Sequence, residues 1–319
     1  MMSFRKKITV IIALVLCFAL FDLSVYNIFT KRYINNTSKA MQAKSIELEK
    51  YLPFDENSEI AKINSSLKLE GDLPVIDGAA ALYPVFSAFV DSLYPKDSVS
   101  FEEGSFSAES KLQYTNTRGA YKSVVDGTAD VIFCAKPSEE QSAYAREKGV
   151  ELEFVPIGYE AFVFIVNKNN PVDDLTTEQV RDIYSGKITN WSEVGGNNRT
   201  IDALQRNEGS GSQTAMLGFM GGVPMKRNVL MSLTGSAIGF SFRYYVEGIV
   251  ENSDVKMLSL DGAYPDKENI SNGSYPIVSS LYAVYDKAND NSNIPIMIDW
   301  ILSEEGQEIV EKSGYVPVA

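Results

Sequence analysis

A chain of 319 residues, 45% hydrophobic and 22% charged, has enough material for one large domain or two, so core size sets no limit. Its formal net charge of −13 argues against nucleic acid as a partner, because that recognition rests on clustered Lys and Arg. The sequence has no histidine, which excludes Ser-His-Asp and Cys-His catalysis, His-ligated metals and histidine pH switching; its two cysteines, Cys17 and Cys134, have no metal-ligand spacing.

The amino terminus, Met1-Met2-Ser3-Phe4-Arg5-Lys6-Lys7, places positive charge ahead of an apolar run from Ile8 to Phe21. That is the order of an export signal. Asp22 interrupts the run early for a spanning helix, no small-x-small cleavage site follows, and Leu16 before Cys17 departs from the small residue of a lipoprotein box. Residues 1–29 are read as an uncleaved signal anchor with its basic end in the cytoplasm, and a cleaved signal peptide is the alternative. Residues 30–72 are polar, with Asn35-Asn36-Thr37-Ser38 and Asp55-Glu56-Asn57-Ser58, and read as a tether with a short helix around Met41–Leu52. The expected location is extracytoplasmic, held at the cell membrane, or secreted if the signal is cleaved.

The folded body begins at Leu73. Leu73–Gly78 reads as a short strand running into a turn, and Ala79 to Val90 as a helix with Leu82, Val85, Phe86 and Phe89 at helical spacing. A short helix, Tyr121–Val125, leads to a strand, Ala129–Phe133. Ala161–Val166 is apolar throughout, as a strand covered on both faces should be. Thr176-Thr177-Glu178-Gln179 is a capping box, followed by Val180, Ile183 and Tyr184 on one face and stopped by Gly186. Helices Ile296–Ile301 and Glu305–Lys312, with Gly314 as a cap, close the chain. The alternation is that of an α/β protein with mainly parallel sheets flanked by helices.

The strongest chemical signal is Arg206-Asn207-Glu208-Gly209-Ser210-Gly211-Ser212, with a helix predicted from Gln213 onward. A helix opening behind a Ser-Gly-Ser turn presents unpaired N–H groups and a positive dipole end to an anion. Arg206 adds a fork of donors suited to an oxyanion. An enzyme fares badly by contrast. Gly209-Ser210-Gly211 lacks the nucleophile-elbow spacing, no Gly-Lys-Ser/Thr follows to make a phosphate-binding P-loop, and only carboxylates or lysines could act as a base. Cys134 reads as a small buried hydrophobe at a strand end, and Tyr244, Tyr245, Tyr264, Tyr275 and Tyr282 as core or cleft walls.

Several stretches resemble the substrate-binding proteins of phosphate ABC transporters, of the PstS type. They are Gly127-Thr128-Ala129-Asp130-Val131, Ala161–Val172, Leu175–Trp191, Arg206–Thr214, Gly273–Ile277 and Gly314–Pro317. The resemblance runs from Leu73 to the carboxyl terminus. It implies a two-lobed periplasmic-binding-protein-like clamp of type II, with the ligand in the cleft between the lobes. Lobe I is then 73–160 plus 277–319, and lobe II is 161–276.

By position, Arg206, Glu208, Ser210, Gly211 and Ser212 become the second-lobe wall, the acidic residue accepting a hydrogen bond from the protonated phosphate oxygen. The first-lobe contacts become Ala79, Ala80 and Ala81 in one loop and Thr115, Thr117 and Arg118 in another. Ala79 and Ala80 lack the hydroxyls that members of this family carry there, the second loop has lost glycines and gained Arg118, and Lys136 stands where an acid or arginine is usual. The implied function is capture of inorganic phosphate or a related oxyanion for an ABC importer. ABC permease subunits and the membrane are the implied partners, and no cofactor or metal is implied. A membrane-anchored anion sensor or surface interaction protein, keeping the clamp without transport, is the alternative.

Overall fold

The computed structural model describes residues 46–226, 236–250 and 254–318. The signal segment and the first part of the expected tether lie outside the described residues. At the centre is a seven-stranded sheet. Its order is β1 (Ile76–Gly78), β4 (Val131–Cys134), β11 (Val278–Asp286), β5 (Leu152–Asn167), β8 (Ala237–Phe242) and β7 (Asp202–Ala203), with β9 (Val255–Met257) also on β5. Two small pairs stand apart: β2 (Phe101–Glu102) with β3 (Ser105–Phe106), and β6 (Asp174–Leu175) with β10 (Ser259–Leu260).

The α/β class holds, but the sheet is mixed rather than mainly parallel. β1 and β4, β7 and β8, and β6 and β10 pair in parallel. β11 lies antiparallel to both β4 and β5, and β5 antiparallel to β8 and β9. The difference comes from β5, which is 16 residues long and far exceeds the apolar run that announced it. Its first half, with Glu153, Pro156, Gly158 and Glu160, is too broken in pattern to read as a strand, yet it pairs β11 from Leu152 to Ala161. Its second half pairs β8 from Phe162 to Val166. The strand thus changes neighbours between Ala161 and Phe162, and antiparallel pairing needs no crossover helix at that point.

Helices cover the sheet where the sequence places apolar stripes. A 3-10 turn, Ala80–Leu82, runs into α1 (Tyr83–Leu93), with Pro84 in the first turn where its missing N–H costs no bond. α2 (Asn116–Val125) begins five residues before the predicted start. α3 (Glu139–Lys148) and α4 (Thr177–Ser185) open on complete capping boxes, at Ser138/Gln141 and Thr176/Gln179. α5 (Gly211–Met220) is capped by Ser210, α6 (Lys267–Ser271) by Asp266. α7 (Asn293–Ile301) and α8 (Glu304–Lys312) end the chain close to the predicted bounds.

From Ile46 on, the segment expected as a tether is a strap packed on this body. Ile46, Tyr51, Ile60 and Leu69 are buried in the core. The Leu69 N–H donates to the Leu93 carbonyl at 2.9 Å and the Ser87 hydroxyl to the Tyr51 carbonyl at 2.6 Å, which ties the strap to α1. Asn293 donates to the carbonyls of Glu70 and Asp72, tying it to α7. The sparse apolar residues read as polar chain because they fall at no regular period. A fragment beginning at Leu73 removes four buried apolar side chains, each contributing ~1.5–3 kcal/mol. It should melt well below a fragment beginning at Ile46, as read by circular dichroism; equal melting temperatures would show the strap to be passive.

At the point where β5 changes neighbours sits a buried ion pair. Glu160 accepts from Arg243 Nε at 3.2 Å, from the Tyr244 N–H at 3.0 Å and from the Ala161 N–H at 2.9 Å. The same guanidinium donates to Glu247 at 2.6 Å and to the Gly314 carbonyl. Arg243→Met leaves Glu160 buried without its partner, which should cost about 3–5 kcal/mol near neutral pH. Burial pushes the Glu160 carboxyl up to about 7, from an ordinary 4.5. A carboxyl raised in the folded state stabilises it when protonated and loses that contribution as pH rises through the folded value. The deficit of Arg243→Met relative to wild type should therefore shrink as melts are taken from about pH 8 down to about pH 5; a deficit independent of pH would place its origin elsewhere.

Candidate functional site

The site begins at the carboxyl end of β1. Asp77 is fully buried, and its carboxylate accepts from the Gly78 N–H at 2.7 Å and the Thr115 N–H at 2.8 Å through one oxygen. The other oxygen accepts from the Thr115 hydroxyl at 2.5 Å. Burial raises the Asp77 pKa, while the hydrogen bonds from Thr115, Gly78 and Ser123 act in the opposite direction. Gly78 has no room for a side chain, since a Cβ would stand 2.6 Å from Phe86 Cε1 and 2.7 Å from the Phe133 carbonyl. The Ala79 N–H is spent on that same carbonyl at 2.9 Å. This removes Ala79 from the expected ligand contacts and leaves the N–H groups of Ala80 and Ala81, which open the helical turn and have no intrahelical acceptor.

Asp77 also positions the second loop. Thr115 is the residue before α2, and its side chain lies over Gly119, where a Cβ would be 2.5 Å from Thr115 Oγ1. With its hydroxyl proton and its N–H both engaged by Asp77, Thr115 donates nothing to a ligand. That is a correction to its expected role as a donor, and it follows from a buried acid no pattern had singled out.

On the other half of the sheet, β7 leads into the Arg206–Ser212 loop. Gln213, buried at the start of α5, shapes it from both ends. Its side chain accepts from the Arg206 N–H at 2.8 Å, and its own N–H donates to the capping Ser210 hydroxyl oxygen at 3.2 Å. The N–H groups of Gly211 and Ser212 are the first of the helix and have no intrahelical acceptor. The Arg206 side chain is half-buried, and burial lowers its pKa. Among the described residues the one titratable group that acts on it is the phenol of Tyr245, and no carboxylate does. A guanidinium taken partly out of water without a carboxylate beside it is an unfilled half of an ion pair.

The structure brings the two loops together. Thr117 Oγ1 lies 3.4 Å from where a Gly211 Cβ would be, and Arg118 Cδ 3.6 Å from that of Gly209. Gln141 Nε2 donates to both the Thr117 and Gly209 carbonyls at 3.5 Å. The amino-terminal turns of α2 and α5 thus face each other across one gap, and Arg206, in the loop that leads into α5, has Tyr245 beside it. Tyr245 was legible only as a wall residue; Asp77, Gln141 and Gln213 were not picked out at all, because nothing in their neighbouring residues shows that they bridge distant segments.

Two expected contacts have exposed side chains. Glu208 is one of them. The Arg118 side chain is 71% exposed and pairs with Glu140 at 3.1 Å, its stem covering Gly209. A separate cavity of about 270 Å³, lined by Asn167, Asn170, Trp191 and Arg199, shares no residue with this gap. Since an exposed, paired arginine contributes little, Arg118→Ala should leave anion affinity within about fivefold of wild type by calorimetry. A loss beyond about thirtyfold would return Arg118 to the site.

Comparison with known proteins follows the same outline. A family model described as a PBP superfamily domain matches residues 73–305. The phosphate-binding protein PstS of Bacillus subtilis is 26% identical over 275 residues, covering 82% of this chain and 85% of that one. PstS of Borreliella burgdorferi is 27% identical over 179 residues, 50% of this chain and 64% of its own length, just under two thirds. Among solved structures, a Clostridium perfringens protein with bound phosphate is 28% identical with a TM-score of 0.59, covering 76% of this chain and 98% of that one. An ABC-type phosphate transport receptor from Vibrio cholerae, at 20% identity and a TM-score of 0.53, shares the fold.

Proposed function

As the chain belongs to the PBP superfamily, we propose that it is an exported solute-binding protein that captures inorganic phosphate, or a closely related oxyanion, for an ABC importer. The fold is the type II periplasmic-binding-protein-like α/β clamp. Its lobes are 73–160 with 277–319, and 161–276, joined through β5. The single observation that carries the reading is Arg206, half-buried with no carboxylate acting on it among the described residues, in the loop that leads into α5. The phosphate-bound relative of 28% identity supports the choice of anion.

The chemistry is that of a preset cage. Ala80 and Ala81 from one lobe, and Gly211 and Ser212 from the other, hold N–H groups that no internal acceptor uses, each set at the positive end of a helix. These donors are fixed by the backbone before the ligand arrives, so little ordering is left to offset the gain on binding. Thr117 and Ser210 add hydroxyls, and Arg206 supplies the full charge. The chain's global net charge of −13 repels anions at long range, but screening confines that field to about 10 Å or less, and the local cluster decides.

Arg5-Lys6-Lys7 ahead of the Ile8–Phe21 run supports export and retention at the membrane, and ABC permease subunits are the partners this reading requires. No enzymatic step belongs to it. Arg206→Ala should weaken phosphate binding by about 2–5 kcal/mol, roughly thirtyfold to several thousandfold, the range for removing one partner of a buried charge pair. Isothermal titration of the full-length protein in detergent measures this. An alanine variant that binds phosphate as tightly as wild type would remove Arg206 from the site, and a wild type that binds no oxyanion would overturn the proposed function.

A further inference from the structure

A buried glutamine outside the expected ligand contacts joins the two turns that face the gap. We infer that Gln141 ties the opening turn of α2 to the loop ahead of α5, and so sets the spacing of the anion site before any ligand arrives. It is a positioning residue, and the inference rests on the reading of the gap as an oxyanion site between two lobes.

A side-chain amide has one accepting oxygen and a nitrogen with two protons to donate. Gln141 Oε1 accepts from the Ser138 N–H at 2.7 Å, and the Gln141 N–H donates to the Ser138 hydroxyl oxygen at 3.2 Å, the reciprocal pair that opens α3. That cap decides which way the amide faces. Nε2 then lies 3.5 Å from the Thr117 carbonyl and 3.5 Å from the Gly209 carbonyl, with one proton for each. A flipped amide would set its oxygen against both carbonyls and its protons against the Ser138 N–H. The two carbonyls belong to different halves of the body: Thr117 is in the first turn of α2, and Gly209 immediately precedes the Ser210 cap of α5. Among the described residues, the bond to Gly209 is the one hydrogen bond that crosses from α2 and α3 to the 206–212 loop. Elsewhere the two sides are only apposed, Thr117 to Gly211 and Arg118 to Gly209.

These turns need a tie. Each helix start is the positive end of a dipole, and two such ends facing one gap repel until an anion sits between them. An amide that donates to a carbonyl on each side opposes the repulsion and adds no charge to compete with a ligand. Gln141 is buried, so water is poorly placed to substitute for it. Both bonds, at 3.5 Å, stand at the long end of the hydrogen-bonding range, about half an ångström beyond the optimum. The tie therefore has slack, and an anion that draws the two turns together tightens both bonds.

The test uses the full-length protein in detergent and three variants. Gln141→Glu keeps an oxygen for the Ser138 N–H, since glutamate closes a capping box as glutamine does, but its carboxylate cannot donate. Gln141→Met removes the donors without adding charge. Ser138→Ala removes the capping hydroxyl and leaves the Gln141 amide in place. Phosphate affinity by calorimetry should fall by about fivefold or more in both Gln141 variants, as expected for two long hydrogen bonds. In Ser138→Ala it should stay within about twofold of wild type while the melting temperature drops, as for a lost helix cap. Without phosphate, hydrogen exchange read by mass spectrometry should quicken in segments 115–121 and 206–214 of both Gln141 variants, and in neither segment of Ser138→Ala. Wild-type affinity in Gln141→Met overturns the inference. An equal loss of affinity in Ser138→Ala assigns the effect to helix capping and overturns it too. Unchanged exchange at both segments in the Gln141 variants overturns it whether or not the protein binds phosphate, whereas a wild type that binds no oxyanion refutes the proposed function and leaves the tie to be judged by exchange.

Discussion

The fold turns on one buried ion pair. Glu160 sits on β5 one residue before the strand's register with β11 ends, and Arg243 directly follows β8, the neighbour that β5 takes next. Two charges withdrawn from water must be paired and hydrogen-bonded or the structure around them fails. Here the requirement fixes β5, the start of the helical turn after β8, Glu247 and the Gly314 carbonyl against one another. Tyr245, two residues beyond Arg243, is thereby placed beside Arg206. The crossing of the two halves and the placing of Tyr245 beside Arg206 depend on the same pair.

On the proposed function, an acidic protein holds an anion because local geometry outweighs global charge. Hydrogen-bond donors fixed at helix starts act at contact distance, where they are unscreened, whereas dispersed surface carboxylates act through solvent and salt. The departures from the family pattern make sense in these terms. Ala79 and Ala80 lack hydroxyls, but the helix-start N–H groups of Ala80 and Ala81 are provided by the backbone whatever the side chain. Glu208 is exposed, and among the described residues no carboxylate acts on Arg206.

The strap from Ile46 to Asp72 adds a constraint of another kind. It crosses α1 and α7 and sends the Tyr51 hydroxyl to the Gly248 carbonyl at 3.4 Å, in the π-helical turn that also holds Tyr245 and Glu247. Tyr51 stacks edge-on to Tyr83 at 6.5 Å between ring centres. The chain that leads in from the amino terminus is thus bonded to residues of both halves of the body, and its burial belongs to the stability of the whole.

Local chemistry made much of this protein legible. The capping box at Thr176 and the Ser210 cap announce helical turns because their hydrogen bonds close within four residues. The apolar run Ala161–Val166 identifies a covered strand, and Arg206 with the Gly-Ser-Gly-Ser turn identifies an anion-binding motif, since every atom required lies within a few residues. The full length of β5, the mixed sheet and the packing of the strap were decided only in three dimensions, where β11 and α1 supply the partners that broken or aperiodic sequence does not reveal. The same holds for the site. Asp77 and Thr115 are 38 residues apart, and Glu160 and Arg243 83 apart. A carboxylate's meaning depends on what donates to it. Only the folded chain shows that Glu208 is exposed while Asp77, silent in the sequence, holds the Thr115 hydroxyl at the start of α2.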